Sequence, residues 1–117
     1  MYQSKSIVFL FVITCLLSPF DMQAQSKNTQ SETFKVWGNC GMCEKTIEGA
    51  MKIKGVSKAD WNKETKMMVV AYNPKEISLS DIHKRIAGVG YDTDLEKAND
   101  DIYNNLHGCC KYERKDH

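Results

Sequence analysis

The chain has 117 residues, 42% of them hydrophobic, with 16 basic and 15 acidic side chains and a formal net charge of +1. That length suits one domain, and mixed charge without a basic block or an aromatic-basic stripe argues against a nucleic-acid-binding surface. No Ser-His-Asp set, phosphate loop or carboxylate pair with an evident role is present, which points away from an enzyme.

The N-terminus has the order of a secretory signal peptide. Lys5 precedes a short apolar run, Ile7 to Leu17, then Ser18-Pro19 and small or polar residues up to Ala24. Such a run is shorter than the roughly 20 residues a membrane span needs, so residues 1–24 are expected to be a cleaved signal and the protein to be exported. In a Gram-negative source that places it in the periplasm, with no membrane span after signal removal. About 93 residues remain, a small core that a metal or a disulfide would help to stabilise. Cys15 leaves with the signal; Cys40, Cys43, Cys109 and Cys110 stay. Outside the cytoplasm an even cysteine count first suggests disulfides. One CxxC and one adjacent pair close no long loop, however, and so make poor staples.

Residues 25–32 are polar and patternless and read as a flexible leader. Thr33 to Trp37 alternates as a strand, and Gly38 and Gly41 punctuate a loop carrying Cys40 and Cys43. From Cys43 the spacing turns helical through Ile47, Ala50 and Met51, with Gly55 as the stop. Val56 to Trp61 and Lys66 to Tyr72 read as strands around a polar turn at Asn62 to Thr65. A second helix starts near Ser78 or Ser80 with Leu79, Ile82, Ile86 and Val89 on its apolar face, and Gly88 and Gly90 end it. Tyr91 to Leu95 is a weak fourth strand.

The order is β-α-β-β-α-β, which predicts an α+β, ferredoxin-like sandwich: a four-stranded antiparallel sheet with two helices on one face. This domain is assigned to residues 33–97. Residues 98–117 form a C-terminal extension, with a short helix expected over Asn99 to Leu106 before His107-Gly108-Cys109-Cys110 and a charged tail read as a solvated terminus.

Several motifs in this order carry a family resemblance. They are the CxxC after the first strand, Ile47 and Ala50 in the helix, Gly55-Val56, Ala59, Val70-x-Tyr72-x-Pro74, and the closing Gly90-Tyr91-Asp92. From Phe34 to Asp94 the chain resembles the heavy-metal-associated domain, the family of small copper chaperones, mercury-binding periplasmic proteins and metal-pump N-terminal modules. The resemblance implies metal binding by Cys40 and Cys43. One departure stands out: the family loop usually carries Met-Thr directly before the first cysteine, whereas here Gly38-Asn39 occupy that place and Met42 lies between the cysteines.

Ligand chemistry agrees. A soft thiolate pair suits Cu(I), and two ligands on a loop satisfy Cu(I) or Hg(II) but leave Zn(II) short. Cys43, at the start of the helix, is expected to gain from the helix N-terminus. Copper ranks first, with mercury or another thiophilic ion behind it. The partners implied are the ion and a metal transporter or efflux component; the chain is expected as a monomer, with a metal-bridged dimer as the other arrangement.

The tail can return to the loop. A fourth strand of five to seven residues runs roughly 17 to 23 Å, and eight or nine helical residues bring the chain back roughly 13 Å. Cys109, Cys110 and His107 are therefore candidate additional ligands, and Met42 and Tyr91 candidate neighbours of the ion. His83 reads as a partly exposed structural histidine, and Met51, Met67 and Met68 as core fillers. Two alternatives use the same cysteines: a thiol–disulfide redox protein, because Trp37-x-x-Cys40-Gly-x-Cys43 echoes a thioredoxin active site, and a zinc site combining loop and tail cysteines.

Overall fold

In a computed structural model, which describes residues 28–114, the elements follow the expected order as far as the second helix. They are β1 (Gln30–Lys35), α1 (Gly41–Ala50), β2 (Val56–Trp61), β3 (Met67–Tyr72), α2 (Leu79–Gly88) and α3 (Asp100–Asn104), followed by a 3-10 turn at Gly108–Cys110. The expected signal peptide, with Cys15, lies outside the described residues, as does His117.

β3 is the central strand of an antiparallel sheet in the order β1-β3-β2. Phe34 pairs with Met68 on one side, and Trp61 with the same Met68 on the other. Alternate residues of these strands, among them Phe34, Met68, Val70, Tyr72 and Trp61, turn to one face and are buried there. Ile47 of α1, Met51 at its C-cap, and Ile82 and Ile86 of α2 join the same cluster. Met51 and Met68 are core residues as expected, whereas Met67 is only half-buried. Ser78 is the N-cap of α2, its Oγ accepting from the Asp81 amide at 3.0 Å.

Three boundaries differ from the sequence reading. β1 begins at Gln30, so Gln30 to Glu32, expected in the leader, pair with Tyr72 to Val70. α1 starts at Gly41 and ends at Ala50, well before Gly55. Gly55 serves instead a tight turn into β2: its φ is +97°, and an added Cβ would stand 2.8 Å from Ile77 Cγ2.

The larger correction concerns the fourth strand. Among the described residues the sheet has three strands, and the place beside β1 is held by an isolated bridge between Val36 and Thr93. The Trp37 amide donates to the Asp92 carbonyl at 2.9 Å and the Asp94 amide to the Lys35 carbonyl at 3.3 Å, and the ladder goes no further because the chain turns at once. Thr93 Oγ1 accepts from the amides of Leu95 and Glu96 at 3.2 and 3.0 Å, and the Thr93 amide donates to the Glu96 carbonyl at 2.7 Å. A hydroxyl that bonds its own backbone competes with the ladder. The same Oγ1 lies 2.6 Å from His83 Nδ1, and His83 is buried with its ring 4.0 Å from that of Phe34, not partly exposed as expected.

After this turn the chain runs back through α3, capped by Asn99, whose Oδ1 accepts from the Asp101 amide at 2.8 Å. Leu106 then rests on Gly90, where φ is +109° and a Cβ would come within 2.9 Å of the Leu106 side chain. The return path is therefore shorter than a full fourth strand would have required.

The core makes a direct prediction. Ile47 is fully buried one turn below Cys43. Ile47→Ala should lower the unfolding free energy by about 2–5 kcal/mol, measured by urea denaturation of the reduced chain; a loss under about 1 kcal/mol would mean the helix does not depend on this contact.

Candidate metal centre

Cys40 is the N-cap of α1, in extended backbone conformation, and Cys43 lies in the helix's first turn. Three residues of spacing across that boundary turn both sulfurs to one side, 3.7 Å apart. The 3-10 turn at Gly108–Cys110 brings a third sulfur: Cys110 Sγ is 3.9 Å from Cys40 Sγ. The sulfurs of Cys40, Cys43 and Cys110 all lie within 4.8 Å of one another. Cys43 and Cys110 are buried, and Cys40 is half-exposed.

The other tail candidates do not converge. Cys109 is exposed and stands outside this trio, its Sγ 4.0 Å from Cys110 Sγ and 4.0 Å from Met42 Sδ. Its carbonyl is what faces the loop, accepting from Asn39 Nδ2 at 3.4 Å and lying 3.7 Å from Cys40 Sγ. His107 is exposed and caps the 3-10 turn through its backbone, with the Cys110 amide donating to its carbonyl at 2.8 Å. Met42 is 46% exposed and is no buried anchor. The floor of the loop is Trp61, buried with two ring carbons 3.0 Å from where a Gly38 Cβ would stand. Its indole N–H donates to the Val36 carbonyl at 3.0 Å.

Each thiol of the trio has a hydrogen-bond donor beside it. The Cys40 side chain closes no cap hydrogen bond. Even so, the neighbouring Cys43 amide, helped by that of Met42, lowers its pKa to about 7 against the opposing effect of partial burial. The helix N-terminus thus favours the thiolate of Cys40. The Asn39 amide approaches Cys43 Sγ at 3.5 Å. Tyr91 is buried, and burial raises its pKa, reinforced by the neighbouring Cys110 and Cys43 thiols. Burial is also the first cause that pushes the Cys110 thiol up to about 12, followed by its hydrogen bond to Cys43.

What brings Cys110 here is a polar anchor that the sequence did not reveal. Asp92 is fully buried and accepts two hydrogen bonds from Arg114, Nη2 to Oδ1 at 2.7 Å and Nε to Oδ2 at 2.9 Å. Arg114 also donates to the Ala98 carbonyl at 2.8 Å and to Asp100 at 3.0 Å, and lies over the Tyr103 ring, 4.5 Å from its centroid. Asp92 holds the guanidinium protonated far above any working pH. Between anchor and thiol stands Tyr112, whose hydroxyl donates to the Gly90 carbonyl at 2.7 Å and accepts from the Asp92 amide at 2.9 Å. Its ring stacks on Tyr91, 5.7 Å between centroids, beside the thiols.

The electrostatics yield a prediction for the reduced, metal-free chain. Alkylation by iodoacetamide should reach Cys40 with a rate that rises with pH and levels off past a midpoint near pH 7, the pKa of its thiol. Buried Cys110 should remain unmodified across that range. Peptide mass spectrometry reads both, and a Cys40 midpoint at the ordinary thiol value of about 8.5 would contradict the helix-terminus account.

Comparison with known proteins agrees with this geometry. The sequence matches the model of the heavy-metal-associated domain over residues 33–92. It is 36% identical over 69 residues to a zinc-transporting ATPase of Synechocystis sp., covering 57% of this chain and 10% of that protein. The chain thus spans about a tenth of the length of the curated relatives it matches. Among solved structures, it is similar to the N-terminal domain of a potential copper-translocating P-type ATPase from Bacillus subtilis in the Cu(I)-loaded state. There the TM-score is 0.54 and the identity 36%, covering 63% of this chain and 95% of that one. It is similar also to oxidised MerP from Ralstonia metallidurans CH34, with a TM-score of 0.54 and 35% identity over 56% of this chain and 94% of that one.

Proposed function

Because the chain belongs to the heavy-metal-associated domain family, we propose that it is an exported protein that binds a soft metal ion, copper(I) foremost, through Cys40 and Cys43. The observation that carries this reading is the pair of sulfurs 3.7 Å apart at a helix N-terminus, one half-exposed and one buried. Thiolate ligands select soft ions, and the lowered pKa of Cys40 leaves it about half ionised near neutral pH. The half-exposed Cys40 gives an incoming thiol access, as hand-over to a metal transporter requires; the curated relatives include a zinc-transporting and a copper-exporting ATPase.

Copper is favoured by the similarity to a domain solved with Cu(I), and mercury follows because it too is a soft ion that accepts two thiolates. A closed zinc site takes four ligands, and only three cysteines cluster among the described residues. Export rests on the signal-like residues 1–24; no helix among the described residues is long and apolar enough to cross a membrane.

Titration of the reduced chain with Cu(I) against a competing chelator tests this function. One equivalent should bind tightly, and the Cys40→Ser/Cys43→Ser variant should lose at least about a hundredfold in affinity, some 2.7 kcal/mol. Equal affinity in the two proteins would remove Cys40 and Cys43 as the ligands, and no tight binding in either would favour the thiol–disulfide reading.

A further inference from the structure

We propose that Cys110 is a third thiolate ligand, carried on a C-terminal arm that the Asp92–Arg114 pair latches across the cysteine loop, so that the bound ion is three-coordinate and leaves only when the arm lifts. This inference rests on the Cys40–Cys43 reading and adds to it a ligand and a mode of retention.

Sulfur spacing is the first support. With metal–sulfur bonds of about 2.3 Å, as for zinc thiolates, a planar three-coordinate ion sets its sulfurs about 4.0 Å apart, and a linear two-coordinate one about 4.6 Å. Cys40 stands 3.7 Å from Cys43 and 3.9 Å from Cys110 at sulfur, and the remaining edge is no longer than 4.8 Å. The two edges at Cys40 suit the triangle, and the Cys40–Cys43 distance is short for a linear pair.

The second support is that the position is built. Cys110 is 2% exposed, against an exposed Cys109 next to it in the chain. The buried phenol of Tyr91 interacts with both Cys43 and Cys110, and its one proton is available to one sulfur at a time. The arm itself is fixed at several points. Arg114 grips buried Asp92 in two places, Tyr112 spans Gly90 and Asp92, Tyr103 Oη donates to the Tyr112 carbonyl at 2.6 Å, and Leu106 fills the space over Gly90. Asn39 and Cys40 meet the Cys109 carbonyl, so the arm lies directly over the loop. A partner's thiol can reach half-exposed Cys40, but taking the ion from all three sulfurs requires the arm to lift.

X-ray absorption on the Cu(I)-loaded full chain tests the ligand. Three sulfurs are expected in the parent and in Cys109→Ser, and two in Cys110→Ser. Two sulfurs in the parent, or an unchanged count in Cys110→Ser, overturns the proposal while leaving Cys40 and Cys43 as ligands. Absence of bound copper in all three proteins overturns both readings.

The latch is read separately, as the rate at which a Cu(I) chelator strips the loaded protein. Cys110→Ser and Arg114→Gln should each speed the loss by about tenfold or more, with Arg114→Lys intermediate and circular dichroism reporting the fold. A folded Arg114→Gln protein that keeps three sulfurs and the parent rate removes the latch. If Arg114→Gln unfolds, the Cys110→Ser rate decides, and a parent-like value there overturns retention by the arm.

Discussion

A carboxylate with no exposed surface, Asp92, sits where the fourth strand of a ferredoxin-like sheet would run, and a guanidinium from 22 residues further along the chain closes on it. Leaving such a carboxylate unpaired in the interior is costly, on the order of 3–5 kcal/mol when one partner of a buried pair is removed. Its other demands are met locally, since Oδ1 also accepts from the Ala98 amide at 2.8 Å. The consequence reaches beyond stability. Ala98 and Arg114 bracket the C-terminal segment, and fixing both ends to one carboxylate sets the path of everything between them, including α3 and the turn that presents Cys110.

The cysteine trio is therefore assembled from two parts of the chain by different forces. Cys40 and Cys43 are placed locally, by a helix that begins at Gly41 and by Trp61 beneath the loop. Cys110 is placed from a distance, by hydrogen bonds, ring stacking and an ion pair. A helix N-terminus lowers the pKa of the half-exposed thiol, while burial raises that of the arm's thiol. The same cluster thus holds one sulfur whose thiolate is favoured and one whose neutral thiol is favoured. Metal affinity and arm position are linked as any two events on one equilibrium are: whatever favours the closed arm favours the loaded site, and the reverse.

Much of this could be read from the residues. Periodicity found α1, α2, β2 and β3, and it narrowed the start of α2 to Ser78 or Ser80, of which Ser78 is the cap. The CxxC loop and its company of Ile47, Gly55 and Gly90-Tyr91-Asp92 located the family. The tail's return was foreseen from length alone, though through a strand that Thr93 replaces with a turn. Length could not separate Cys109 from Cys110, neighbours on a short turn where one sulfur faces inward and the other outward. Nor could it find Arg114, which stands among charged residues and looks like solvated tail; its partner is distant in sequence and itself resembles a surface aspartate. His83 was misplaced for a related reason, since its burial depends on Phe34 and Thr93, which no local pattern ties to α2.

The central claim is that the arm is docked before any ion arrives, and amide hydrogen exchange on the reduced, metal-free chain tests it most directly. The informative amides are those of Ala98, bonded to the Asp92 carboxylate, Asp92, bonded to the Tyr112 hydroxyl, and Cys110, bonded to the His107 carbonyl. If the arm is latched, all three exchange far more slowly than an unstructured peptide, and those of Ala98 and Asp92 slow together and are released together in Arg114→Gln. If these amides exchange at peptide rates while those of β3 stay protected, the arm is free, and the third thiol is not held at the loop.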